Sequence, residues 1–163
     1  MKRIGIISDT HAYWDDRYAL HFAGCDEIWH AGDIGSAQLL DRLEGIAPVR
    51  AVYGNVDGAE LRRRCREVER FTTEGVRVWM THIGGYPGHY APGVGAMLAQ
   101  EHPDVFISGH SHILKVMPDK RLGLLHINPG AAGMQGWQTV RTLVLLTLDA
   151  GAVKDCEVVE LGK

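Results

Sequence analysis

Five short apolar runs occupy the first two thirds of the chain, and each stops at a residue type able to hold a cation or a proton. RIGIIS (residues 3–8) leads to Asp9 and His11, EIWHA (27–31) to Asp33, and VRAVY (49–53) to Asn55. VRVWMTH (76–82) ends on His82, and DVFIS (104–108) leads to His110 and His112. Runs this short and apolar read as strands buried on one or both faces. The segments 15–23, 36–44, 58–64 and 94–102 read as helices, with joins such as GNVDG and APG between the two kinds of element. After Gly109 the pattern changes to consecutive strand-like runs, ILKVMP, LGLLHIN, TVRTLVLLTL and AVKDCEVVEL, the last two joined by a DAG hairpin signal. Alternating β and α units followed by strands alone point to an α/β (α+β) fold. A mixed two-sheet sandwich with helices outside is expected, in one domain over residues 1–163.

Ligands of α/β sheets gather outside the carboxyl ends of strands, so five strand ends can deliver side chains to one place. Asp9, His11, Asp33, Asn55, His82, His110 and His112 are therefore expected to be neighbours. Gly32, Gly54 and Gly109 each precede one of them, where a tight turn or close backbone approach excludes a side chain. Four His, two Asp and one Asn form a mixed nitrogen and oxygen donor set suited to borderline divalent metals. The set exceeds the ~4 ligands of a tetrahedral zinc site, and with one bridging carboxylate it serves two metals with positions open for water.

Each piece alone has a plainer reading. Asp9 and His11 fit an Asx turn beside a surface histidine, and Asp33 fits a turn or a cap for the helix starting near Ser36. Asn55 fits a turn residue tolerating positive φ, and His82 a satisfied strand-end histidine. His110 and His112 form a stronger signal, because side chains at i and i+2 on extended chain point the same way. Five separate plain readings in register with five strand ends are together less economical than one site.

Composition narrows the partners. Lys plus Arg count 17 against 20 for Asp plus Glu, a formal charge of −3, which offers no positive excess to hold nucleic acid. Cys25, Cys65 and Cys156 are scattered without CxxC spacing, and read as reduced thiols of a cytoplasmic protein. The apolar stretch Ile4–Ile7 is too short for a signal-peptide core, and LVLLTL (143–148) falls far below the ~20 residues that span a bilayer. No membrane partner is expected.

DTH at 9–11, GD at 32–33, GNVD at 54–57, His82 and GHSH at 109–112 together resemble the calcineurin-like metallophosphoesterase family. That family's pattern runs DxH, GD, GNxD, a lone His and GHxH. The short length and HINPGAAG at 126–133 resemble its small, single-domain phosphodiesterase branch. The resemblance implies a four-layer αββα sandwich and two divalent metal ions, manganese first and Ni, Fe, Zn or Co as alternatives. It implies that Asp9, His11 and His112 hold one metal, that Asn55, His82 and His110 hold the other, and that Asp33 bridges them. The implied reaction is hydrolysis of a small phosphate ester, most simply a phosphodiester, by a metal-bridging hydroxide, with Asp33, Asn55 and His82 carrying catalysis.

Where larger members follow GN with a His, this chain has Val56, which cannot transfer a proton. General acid catalysis is worth roughly 10² to 10⁴ in rate, so good leaving groups or protonation by a metal-bound water are favoured. Ala12 and Ile83 also depart from glycines usual in the family. Asp57, without that His to orient, reads as a cap for the next helix, and Ser111 as a spacer. His89, in the Gly/Pro-rich loop 83–95, is a candidate replacement acid against the plainer reading of a solvated loop histidine. Tyr13 and Trp14 read equally as pocket border or helix packing. The run LRRRCREVER (61–70) reads as a solvated, partly salt-bridged face. The competing functional class is a protein-interaction scaffold, since a retromer subunit in eukaryotes has this fold. Further copies of the chain are allowed as partners in a homo-oligomer.

Overall fold

The computed structural model describes residues 1–162. In chain order the elements are β1 (Lys2–Ile7), α1 (Asp16–Phe22), β2 (Glu27–His30), α2 (Ala37–Glu44), β3 (Val49–Ala51), α3 (Ala59–Arg64), β4 (Val68–Thr73) and β5 (Val76–Thr81). They continue with β6 (Gly85–Tyr86), β7 (His89–Tyr90), α4 (Val94–Glu101), β8 (Val105–Ile107), β9 (Lys115–Asp119), β10 (Leu124–Asn128), β11 (Arg141–Asp149) and β12 (Ala152–Gly162). One sheet runs β12-β11-β1-β2-β3, a second runs β4-β5-β8-β10-β9, and β6 pairs with β7.

Side-chain alternation sets the layers. On β1, Ile4 and Ile6 face the space between the sheets, where they meet Trp29, Met80, Val105, Ile107 and Val144. Ile7 faces the other way, onto Tyr18 and Phe22 of α1 and Leu39, Leu40 and Leu43 of α2. Gly5 shares that outer face, and a Cβ there would overlap the Phe22 ring. On the second sheet Trp79 and Phe106 point outward under Val94 and Leu98 of α4. The order is helix, sheet, sheet, helix, as the resemblance implies. The helices start at side-chain caps where these exist, Asp15 accepting from Arg17 N and Ser36 from Leu39 N.

Two stretches differ from the sequence expectation. Residues 68–73 form β4, an edge strand antiparallel to β5, although its Arg and Glu content reads as a solvated face. Edge strands carry charge because only one side is paired, and Arg70 ion-pairs with Glu101 on α4. The loop 83–95 holds the small β6–β7 hairpin. Among the described residues no helix is long and apolar enough to cross a membrane.

β1, β2 and β3 are mutually parallel in one sheet, as β5 and β8 are in the other. Their carboxyl ends open at the same edge of the sandwich. The loops that follow cross-link there: Asp9 N donates to Gly32 O, His11 N to Asp33 O, and Gly109 N to His82 O.

Candidate metal centre

The seven sequence candidates come from both sheets and converge at this edge. Asp9, His11 and His112 bring ligand atoms within 4.8 Å of one another, and so do Asp33, His82 and His110. The two groups abut, since His11 Nε2 lies 3.7 Å from both Asp9 Oδ1 and Asp33 Oδ2. His82 Nε2 is 3.1 Å from Asp33 Oδ2 and 3.9 Å from Asp9 Oδ1. Asn55 joins the second group through its Oδ1, 3.1 Å from His110 Nδ1.

The backbone that presents these residues is unusual. Asp9, His11, Asp33, His110 and His112 all have positive φ, between 45° and 73°. Left-handed conformations are uncommon for residues with a Cβ, and they concentrate where the surrounding structure enforces a functional geometry. The extended HxH geometry read from the sequence is therefore corrected: His110 and His112 leave a left-handed turn and enter different groups. Glycines allow the close approach, for a Cβ at Gly54 would overlap Asp33 Oδ1 and one at Gly109 would overlap Ser8 Oγ.

Both carboxylates are buried, and their ion-pair partners among the described residues are histidines. Burial raises the Asp9 pKa, but His11, His112, His82 and Ser8 outweigh it and hold the group well below the usual carboxylate range. Asp33 is also lowered, where burial is outweighed chiefly by His82 and the Val56 backbone. Burial opposes charge on His82, yet Asp33 and Asp9 raise its pKa, and Asp9 raises that of His112.

The ring orientations bear on what the pocket can hold. His82 Nδ1 donates to Ala31 O at 2.7 Å, and His112 Nδ1 donates to Gln138 Oε1 at 3.1 Å. With Nδ1 so engaged, each neutral ring aims the lone pair of Nε2 inward, His112 Nε2 lying 3.2 Å from Asp9 Oδ1. Lone pair then faces carboxylate oxygen, which is repulsive unless a proton or a metal cation lies between. Asp9 Oδ1, His11 Nε2 and His82 Nε2 are buried without hydrogen-bond partners. Buried polar atoms are rarely left unpaired, and these three converge on one space. The donor set fits divalent cations.

Several supporting residues escape the sequence reading. Asp57 does not cap α3, which begins at Gly58 without a side-chain cap. Its buried carboxylate instead accepts from Ile34 N, Gly35 N and Gly54 N, locking the Asp33 loop to the Asn55 loop. Ser111 is more than a spacer, for its Oγ accepts from Asn128 Nδ2 and Ile113 N. Asn128, of the NPG turn, also donates to Gly109 O. His30 Nε2 donates to Thr10 Oγ1 and its Nδ1 accepts from Gly32 N, while burial lowers its pKa to about 4. Arg62 lies over Tyr53 and lines a cavity of about 240 Å³ with Asn55, Glu67 and His82. None of these contacts has a local sequence signal except the Arg-rich run that contains Arg62.

The remaining candidates fall elsewhere. Position 56 serves through its backbone, Val56 N donating to Asp33 Oδ1. His89 packs at a tilt against Tyr86, with ring centroids 4.9 Å apart and planes at 43°. Trp14 packs edge-on against Tyr18 beneath Arg42, a helix-packing role.

The family model for the calcineurin-like phosphoesterase superfamily domain matches residues 1–151. A protein of Methanothermobacter thermautotrophicus described as a probable metallophosphoesterase is 33% identical over 172 residues, covering 98% of this chain and 92% of that protein. The structure of Vps29 from Chaetomium thermophilum superposes with a TM-score of 0.77 at 16% identity, over 100% of both chains. A structure presented as a novel archaeal phosphodiesterase gives a TM-score of 0.74 at 23% identity, over 98% of this chain and 99% of that one. At these identities the structural likeness concerns the fold alone.

Proposed function

The chain belongs to the calcineurin-like phosphoesterase superfamily, and from that premise we propose that it is a dinuclear-metal phosphodiesterase acting on a small substrate, with manganese the first candidate cation. The observation that carries this reading is the convergence of three partnerless buried atoms, Asp9 Oδ1, His11 Nε2 and His82 Nε2. Asp9, His11 and His112 would hold one cation, Asn55, His82 and His110 the other, with Asp33 shared. When bound, two such cations supply a water-derived nucleophile at neutral pH and Lewis acidity at the phosphoryl oxygens.

The chain's own residues do the rest. Asp33 is fixed through Oδ1 by Val56 N, which leaves Oδ2 facing histidines of both groups. Asn55 offers a neutral carbonyl that adds a ligand without adding negative charge. His82 and His112 are oriented through Nδ1, so neither ring can turn without losing a hydrogen bond. No side chain at position 56 can protonate a leaving group, which favours esters whose leaving group departs without one.

Metal titration by calorimetry together with hydrolysis of bis(p-nitrophenyl) phosphate tests the reading. Two cations per chain and turnover restored to chelated protein by manganese are expected. One cation per chain, or no hydrolysis with any of Mn, Ni, Fe, Zn or Co, would sink it and favour the interaction-scaffold reading.

A further inference from the structure

Next to the Asp9–His11–His112 group lies a cavity of about 450 Å³ that the chemistry above does not use, walled by Ile113 and Trp137 and reaching His110 and His112. The segment bearing Trp137 is fastened to the site on both sides of that residue. Before it, Gly136 has φ +113°, and a Cβ there would overlap His112 Nδ1. After it, Gln138 Oε1 accepts from His112 Nδ1, while Gln138 Nε2 donates to Gly133 O and Gln135 O. Trp137 is thus held beside the candidate metal ligands, yet its own side chain is 99% exposed. Ile113, which lines the same cavity, is 61% exposed. Trp29 and Trp79, by contrast, are buried in two of the three core clusters.

A large indole left in water beside a site forgoes the stabilisation of burial, and with exposed Ile113 in the same lining it offers apolar surface to something flat. The polar groups at the inner end of the slot, His110 and His112, belong to the phosphate side. A ligand spanning both must join a planar apolar group to a phosphate. We propose that Trp137 and Ile113 form a stacking slot for a planar aromatic substituent of the substrate, a nucleobase or an aryl ring, whose phosphate lies at His110 and His112. This rests on the phosphoesterase reading and supplies its substrate class. Trp137 is a substrate-positioning residue and takes no part in bond cleavage. Loss of base stacking on Trp137 is expected to weaken binding roughly tenfold, about 1.4 kcal/mol.

The test compares AMP, phenyl phosphate and ribose 5-phosphate binding to the manganese-loaded protein, read by quenching of tryptophan fluorescence and by calorimetry. AMP is expected to quench the Trp137 emission and to bind roughly tenfold more tightly than ribose 5-phosphate. Trp137→Ala should remove that advantage, and Trp137→Phe should restore most of it in calorimetry without the quenching. Phenyl phosphate matching AMP identifies the slot as general for aromatic rings, and phenyl phosphate matching ribose 5-phosphate identifies it as selective for nucleobases. Equal affinities for AMP and ribose 5-phosphate, or a Trp137→Ala variant that binds both as the parent does, would overturn the proposal. So would a concentration-dependent dimer that Trp137→Ala dissolves, because the slot would then be filled by a second copy. Nitrophenyl ester turnover retained by a Trp137→Ala variant that also binds AMP as the parent does removes the slot and spares the hydrolase reading. AMP binding that depends on Trp137 without turnover of any ester does the reverse.

Discussion

The two residue groups at the sheet edge are held in place by different means. In the Asp9–His11–His112 group side chains share the task with main chain: Ser8 Oγ and His110 N both donate to Asp9 Oδ2, and Gln138 Oε1 alone receives the His112 Nδ1 proton. In the Asp33–His82–His110 group the two buried members are oriented by main chain, Val56 N on Asp33 and Ala31 O on His82. Main-chain partners persist through most substitutions, whereas a side-chain partner vanishes with one codon. The first group is therefore the one that mutation can loosen without altering a ligand. The support of His112 comes from Gln138, held within residues 133–138 that also carry Trp137, so orientation of that ligand and the proposed slot share one loop.

The strongest way to break the distinction is at the residue both groups share. Asp33→Asn is expected to bring metal-dependent hydrolysis to background while circular dichroism stays native. Retained turnover would show that the groups do not act as one centre. Gln138→Ala should weaken only one of the two cations, by about 10- to 100-fold in calorimetric affinity, as loss of an outer hydrogen bond to a ligating histidine does. Equal weakening of both would erase the contrast between side-chain and main-chain support. Gly54→Ala attacks the main-chain side, because its Cβ meets Asp33 itself. Overpacking of this kind costs about 1–3 kcal/mol in denaturant unfolding, and the cation at the Asp33 group should be the weaker one afterwards.

A smaller effect sharpens the contrast with a histidine outside both groups. His126 is buried beside Phe106, donates Nδ1 to Phe106 O, and leaves Nε2 unpartnered. Burial lowers its pKa to about 4 from an ordinary 6.5. The unfolded chain then binds the proton more readily than the native one. The stability tied to the neutral ring is complete above pH 6.5 and is lost as pH falls toward 4, by up to about 3 kcal/mol. Urea unfolding of metal-free protein at pH 7 and pH 5 should show this slope, and His126→Leu should flatten it. His82 and His112 shift the other way, because carboxylates face them, whereas at His126 burial dominates, the Phe106 carbonyl offsets it only in part, and Lys115 adds to it.

Much of this architecture can be read before any coordinates. The helix at 15–23 and its observed counterpart Asp16–Phe22 differ by one residue at each end, because Asp15 is a strong cap. β4 is hidden because Val68 and Phe71 sit among Arg and Glu, and an edge strand needs only a thin apolar stripe. The seven candidates are legible because each is a donor type placed just past an apolar run. Asp57, Ser111 and Gln138 are not, because their partners belong to other loops: the Asp57 carboxylate reaches back to Ile34 and Gly35, and Gln138 reaches back 26 residues to His112.

The sequence alone determined which residue types stand at the strand ends and that several strands share one edge, since periodicity and residue chemistry are local properties. The family resemblance implies a division of the seven, but only the tertiary structure gives the two groups their geometry. It drew His110 and His112 apart through left-handed turns, placed Asp33 Oδ2 within reach of both groups, and left Trp137 bare beside them. Those outcomes depend on the spacing of two facing sheets and on loops that meet across them, and no short stretch of chain encodes a distance between its distant parts.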